Sequence, residues 1–527
     1  MFNLIIKNGT VIDGTGSKKI VADVGVEKNK ITAIGKLGKN AKTVKTIDAK
    51  GKIVCPGFVD ILDHSDNFWT LFAIPRLDSK ITQGVTTIIG GNCGSSLTPI
   101  LGEDSVKSIR KWVDIGNVNI NWARTKEFFT ELNKKDLGIN FGTLIGQETL
   151  RRGLVGNKEK ITKENIEMMG KMLLDSLEDG AFGMSTGLVF SHAKMVSTEE
   201  IKYLAEILEA KNAFYASHIR GESEELLPSI NETFHIGREF KISIEISHLK
   251  AVGEKYWSDM QKVLEMVNIA NEENIEITFD IYPYDTTGSV LYTLLPDWVS
   301  QGGRKKMISR LSDSDLRGRI VKGLKIMDYN YENIIISICP KLKETVGKSI
   351  ANIANNQEIS PEKALIEFLI SANGHAIVFN RKVLDEENIK LALKNPHCII
   401  SSADAAYNTE YVRTGEVVHP RCFGTFPKVL GRYVREQKVL SLENAIEKMT
   451  SKPARKIGLK NRGELKKGFF ADITVFDPKI VIDKADFDNP YQYSEGIENV
   501  IVNGKIVIED GKHTGELAGK VLKKISG

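Results

Sequence analysis

The stretch AFYASHIRGESEELLPSINETFHIGREFKISIEISH, residues 213–248, decides the fold. It holds two short apolar runs, F-Y-A-S and I-E-I-S, and each ends on a histidine, His218 and His248. Brief apolar runs separated by an amphipathic stretch read as buried parallel strands joined by a helix. A (β/α)8 barrel collects its functional side chains from the C-terminal ends of its strands, so ligand-type residues closing consecutive strands point to that architecture.

Outward from this unit the pattern recurs. Further candidate strands are TTIIGG (86–91), INFGTLIG (139–146), AFGMSTGL (181–188), IEITFDIY (275–282), AIVF (376–379) and CIISSAD (398–404). Amphipathic stretches lie between them, as in KENIEMMGKMLLDSLED (163–179), with apolar residues at helical spacing. Alternating β and α predicts an α/β fold, a parallel (β/α)8 TIM-like barrel. Both ends of the chain are strand-rich instead. Asn503–Gly504, between two apolar runs, is a hairpin signal. The expected organisation is a small β-sandwich built from residues 1–55 and 456–527 around a barrel over 56–455, with an insertion near 290–350.

Composition limits the function. The 527 residues are 41% hydrophobic and 27% charged, with a net charge of +4, which gives no signal for nucleic acid or a membrane surface. The first residues lack the basic and apolar regions of a signal peptide. No apolar run is long enough to span a bilayer. Cys55, Cys93, Cys339, Cys398 and Cys422 are odd in number and widely spaced, which fits a reducing cytoplasm. No pattern sets an oligomeric state.

The chemistry lies in a series. His64 follows F-V-D-I-L-D, Cys93 follows T-T-I-I-G-G-N, and His218, His248 and Asp404 close later strands. Imidazole, thiolate and carboxylate are the donors that Zn²⁺ accepts, and a catalytic site uses about three of them plus water. Each residue has a bland reading: a hydrogen-bonded histidine, a buried small cysteine, an aspartate capping a helix. All five in strand order point to a metallohydrolase.

The segments PGFVD (56–60), GGNCG (90–94), SHIRGE (217–222), ISHLKAVG (246–253), DIYPY (280–284) and VHPRCFGTFPKVLGRY (418–433) resemble the D-aminoacylase (N-acyl-D-amino-acid deacylase) branch of the amidohydrolase superfamily. The resemblance covers nearly the whole chain. It implies zinc held by Cys93, His218 and His248, with Asp404 as general base and then acid. It implies that Lys250, Tyr282, Ser289 and Arg421 bind the carboxylate and neighbouring groups of a small N-acyl-D-amino acid. The family's second, weaker metal uses an H-x-H pair with the same aspartate. Here the pair reads Leu62 and His64, and leucine has no donor atom, so one tightly bound zinc per chain is expected. Arg220 and Glu222 either orient the ligands or form a salt bridge. His419 stays outside the metal set, and His192, His235, His375, His397 and His513 read as structural or exposed. Two alternatives stand beside this reading: a cyclic-amide hydrolase of the hydantoinase or dihydroorotase kind, and a catalytically impaired barrel serving as a binding protein.

Overall fold

The computed structural model describes residues 1–38, 41–112, 120–158 and 160–524. Eight parallel strands make a barrel: Phe58–Asp60, Val85–Gly90, Asn140–Thr143 continued by Ile145–Gly146, Gly183–Gly187, Phe214–His218, Ile244–Ile246, Ile277–Ile281 and Cys398–Ile400. The last closes on the first just past their ends. Asp63 bridges Asp404, the His64 N–H donates to the Asp404 carbonyl at 3.2 Å, and the Ala403 N–H donates to that of Leu62 at 3.1 Å.

Alternation along the strands separates two apolar layers. Ile244, Ile246, Ile277 and Phe279 pack against helix residues such as Ile230, Phe234, Val263 and Leu264. Val59, Ile61, Ile89, Phe182, Phe214 and Ile399 share a separate inner cluster. The helix Lys163–Asp179 shows how local sequence sets an outer element. Thr162 accepts a hydrogen bond from the Asn165 N–H at 3.3 Å, Gly180 ends the helix at φ 117°, and Met169, Leu173 and Leu177 are buried. Such an N-cap contributes about 1 kcal/mol.

Strands from both termini join in one nine-stranded sheet. Ile473–Phe476 pairs antiparallel with Ile53–Pro56, so the C-terminal strands extend the N-terminal ones directly. The expected hairpin about Asn503–Gly504 joins Ile497–Val502 to Lys505–Glu509.

One expected barrel strand lies elsewhere. AIVF forms most of Ile377–Asn380, the middle strand of a three-stranded antiparallel sheet between Thr287–Val290 and Ile334–Ile338. A short apolar run specifies a buried strand but not which sheet buries it. The place in the barrel is filled by Phe58–Asp60. The inserted unit therefore runs from Thr287 to Asn380, beyond the 290–350 expected, and has its own core around Leu291, Ile336, Leu365 and Val378.

Candidate metal centre

Every ligand-type residue stands at or just beyond a strand's C-terminal end. His218 is the last residue of the fifth strand, and His248 lies two past the sixth. Cys93 follows the second strand, while His64 and Asp404 follow the first and eighth. Three of these turns are left-handed: Cys93 at φ 52°, His248 at φ 37° and Ala403, just before Asp404, at φ 49°. Non-glycine residues in this region cost on the order of 1–3 kcal/mol each and persist where the surroundings over-determine them. The glycines of GGNCG permit the turn. A Cβ on Gly91 would lie 2.0 Å from the Leu144 carbonyl oxygen, and one on Gly94 2.7 Å from the Gly187 nitrogen.

Cys93, His218 and His248 offer donor atoms that all lie within 4.8 Å of one another, the one such trio among the described residues. His248 Nε2 is 3.0 Å from His218 Nδ1 and 3.6 Å from Cys93 Sγ. All three side chains are buried. Burial pushes both imidazoles well below their ordinary pKa, helped at His218 by His248 and Lys250 and at His248 by Lys250 and Arg421, so they stay neutral and keep a lone pair. Burial pushes the Cys93 thiol up to about 12, against the opposing pull of Lys111. A cation entering here must therefore displace the thiol proton. Glu222 Oε1 lies 3.5 Å from His218 Nε2, 3.4 Å from His248 Nδ1 and 2.5 Å from Lys250 Nζ, so one carboxylate stands beside both imidazoles and is ion-paired with Lys250. Two neutral imidazoles and a thiol, converging in a buried pocket with a supporting carboxylate, fit a zinc ion.

The trio opens into a cavity of about 1050 Å³ that is also lined by His64, Lys250, Tyr282, Ser289, Asp404 and Arg421. All the singled-out site residues thus meet in one place, Ser289 arriving from the inserted sheet. Arg421 Nε donates to Asp404 Oδ2 at 2.9 Å, and its guanidinium lies 4.5 Å from the Tyr282 ring centre. Asp404 caps no helix: its Oδ1 accepts the N–H of Ala405 at 2.9 Å, and the following residues are irregular. His419 is a support residue. Its Nδ1 accepts the Arg421 N–H at 3.0 Å, and its ring sits among Tyr282, Tyr284, Phe379 and Phe487.

His64 lies apart from the trio's centre. Its Nε2 is 3.7 Å from Cys93 Sγ, its Nδ1 is 3.2 Å from Asn67 Nδ2, and its ring stacks on Trp112 at 5.8 Å. Burial lowers its pKa to about 3. Leu62 is 1% exposed and packs with Ile61, Ile89 and Ala403. Leu62 thus contributes hydrocarbon to the inner cluster and no donor atom to the cavity.

Several neighbours carry no sequence signal. Phe68, Trp112 and Phe190 make an apolar wall of the cavity. Lys111 is ion-paired with the buried Glu148 and lies 4.0 Å from the Phe190 ring centre. No short motif marks these residues.

A barrel with metal donors on its strand ends and a sheet built from both termini defines an amidohydrolase. An Amidohydrolase family model matches residues 387–508. The D-aminoacylase of Alcaligenes xylosoxydans xylosoxydans is 32% identical over 524 residues, spanning 99% of this chain and 98% of the relative. The N-acyl-D-glutamate deacylase of the same organism is 31% identical, spanning 99% and 96%. The crystal structure of N-acyl-D-glutamate deacylase from Bordetella bronchiseptica, complexed with zinc and a phosphonate inhibitor, superposes with a TM-score of 0.83 at 29% identity, covering 99% of both chains. The chain belongs to the D-aminoacylase family and is an amidohydrolase of linear amides.

Among the described residues, no helix is long and apolar enough to cross a membrane.

Proposed function

We propose that this protein hydrolyses the amide bond of N-acyl-D-amino acids, releasing a carboxylate and a D-amino acid, with one tightly bound zinc ion. The observation that carries the reading is the convergence of Cys93, His218 and His248 in the cavity that also holds the Asp404–Arg421 pair. These three residues would hold the metal. The chemistry zinc supplies there is Lewis acidity and acidification of water toward a pKa of about 7.

The chain's own groups do the rest. Asp404 takes the proton of the attacking water and later delivers it to the leaving amine nitrogen. Arg421 holds that carboxylate in place and, with Lys250, supplies the cationic side of the cavity that receives the substrate's α-carboxylate. Tyr282 and Ser289 border the same region and orient the substrate. Glu222 fixes the ligand imidazoles.

The family membership and the D-amino-acid substrates named for its relatives support this reading. The cyclic-amide alternative is disfavoured by the fourth strand, which ends on Gly187 and supplies no lysine to be carboxylated between two metals. The impaired-barrel alternative is disfavoured by the complete donor trio. A screen of N-acyl-D-amino acids, their L-enantiomers and hydantoins with zinc-loaded protein tests all three. Turnover confined to the D-series is expected. Preference for hydantoins, or no turnover in any series, would reject the reading.

A further inference from the structure

Lys80 is buried in the wall of the barrel at 0% exposure. It lies in the short helix Asp78–Ile81, outside the first strand. Its Nζ is 2.8 Å from Asp60 Oδ2 and 3.0 Å from Asp63 Oδ2, both on the first-strand side. From the eighth-strand side it reaches Ser402 Oγ and, at 3.0 Å, the carbonyl of Asp404. Asp60 spans the same gap, accepting the Ser402 N–H at 3.0 Å. Neutral contacts reinforce the junction. Ser65 Oγ accepts the Ala406 N–H, and Ser79 exchanges two hydrogen bonds with Tyr407, all at 2.8–2.9 Å.

An ammonium ion is expensive to bury, and it persists only where carboxylates and hydrogen bonds surround it. Here those partners come from both edges of the strand pair that closes the barrel. The edges end in His64 and Asp404. The trio Cys93, His218 and His248 is carried by the second, fifth and sixth strands and makes no contact with Lys80 among the bonds above. Lys80 therefore touches the framework of one half of the site and not the other.

We propose that Lys80 is a positioning residue for hydrolysis: it clamps the closing seam of the barrel and thereby sets where the Asp404 carboxylate stands relative to the metal donors. This rests on Asp404 acting as the general base. Displacing a reacting group by about 1 Å can cost about 100-fold in rate, so a released seam is expected to lower turnover while leaving the metal bound.

The test uses zinc-loaded full-length protein with Lys80→Met, and with the neutralised triple variant Asp60→Asn, Asp63→Asn, Lys80→Met, which leaves no buried carboxylate unpaired if the single variant does not fold. Zinc content is expected to stay at one per chain. Turnover number is expected to fall about 10- to 100-fold with KM changed by less than about threefold. In an Asp404→Asn background the same substitutions are expected to cost less than about threefold, because the lost positioning has nothing left to position. Hydrogen exchange of residues 398–407 is expected to be slow in the wild type and faster in the variants. Wild-type turnover in a folded Lys80 variant overturns the proposal, as does a full-sized loss that persists without Asp404. Rapid exchange of 398–407 in the wild type also overturns it. Asp404→Asn with wild-type turnover defeats the general-base reading instead, and the exchange measurement still judges the clamp.

Discussion

The two halves of this site are built from different materials. One half, on the second, fifth and sixth strands, brings a thiol and two imidazoles together and leaves their donor atoms mutually exposed. The other half, where the first and eighth strands meet, contains Leu62, a lone imidazole from His64 and a buried ammonium from Lys80. The first is chemically complete for a divalent cation. The second offers one imidazole and a hydrocarbon side chain, and the positive charge of Lys80 beside it is compensated by Asp60 and Asp63. The two halves rest on separate strands, so a change in one need not disturb the other.

The largest effect that would break this contrast comes from the metal half. Cys93→Ala is expected to lose zinc and activity together, by about 10³-fold or more in turnover, since a two-imidazole site lacks the usual three ligands. Zinc per chain and turnover measured on one preparation check this. Full activity in that variant would show that the ligand assignment is wrong.

Next in size is Asp404→Asn. Zinc should remain, and turnover should fall about 10²- to 10⁴-fold, the usual worth of a general acid–base. Loss of zinc along with activity would place Asp404 among the principal ligands and blur the two halves.

A pH series probes the metal half without mutation. Burial pushes the Cys93 thiol up to about 12, so it is protonated at working pH, whereas burial holds the His218 and His248 imidazoles well below their ordinary pKa and neutral. Binding therefore expels one proton, from Cys93. Lower pH supplies more of the competing proton, so affinity falls on acidification. Between about pH 6 and 9 the logarithm of the zinc association constant should rise by about one per pH unit. Competition titration with a zinc indicator measures this; a slope near zero would mean that Cys93 is not deprotonated on binding.

The smallest effect is expected from adding a donor to the seam half. Leu62→His should raise affinity for a second metal and change turnover by less than about threefold if, as proposed, hydrolysis runs on one zinc. Isothermal titration shows whether a second binding step emerges. A large gain in turnover would contradict hydrolysis on one zinc.

Much of this contrast was legible in the sequence, and the reasons differ by residue. His218, His248 and Cys93 are legible because each stands at or just after a short apolar run, and a strand end is a local feature. Leu62 stood out because it interrupts a motif. Lys80 was silent: in D-S-K-I it resembles any helical lysine, and only the pairing with Ser402 and Asp404, more than three hundred residues away, gives it meaning. Sequence alone leaves Glu222 between two roles, and the structure places its carboxylate beside both imidazoles. The strand Ile377–Asn380 was legible as a strand and misassigned as part of the barrel, because periodicity reports burial and not partners. The sequence motif marks Arg421 as a substrate group, and its bond to Asp404 adds a second task that no spacing discloses.

The most direct measurement is a zinc titration of metal-stripped protein, with hydrolysis of an N-acyl-D-amino acid followed at each addition and bound metal counted by elemental analysis. Activity should climb linearly and level off at one zinc per chain. Activity that appears only as a second equivalent binds would contradict the account.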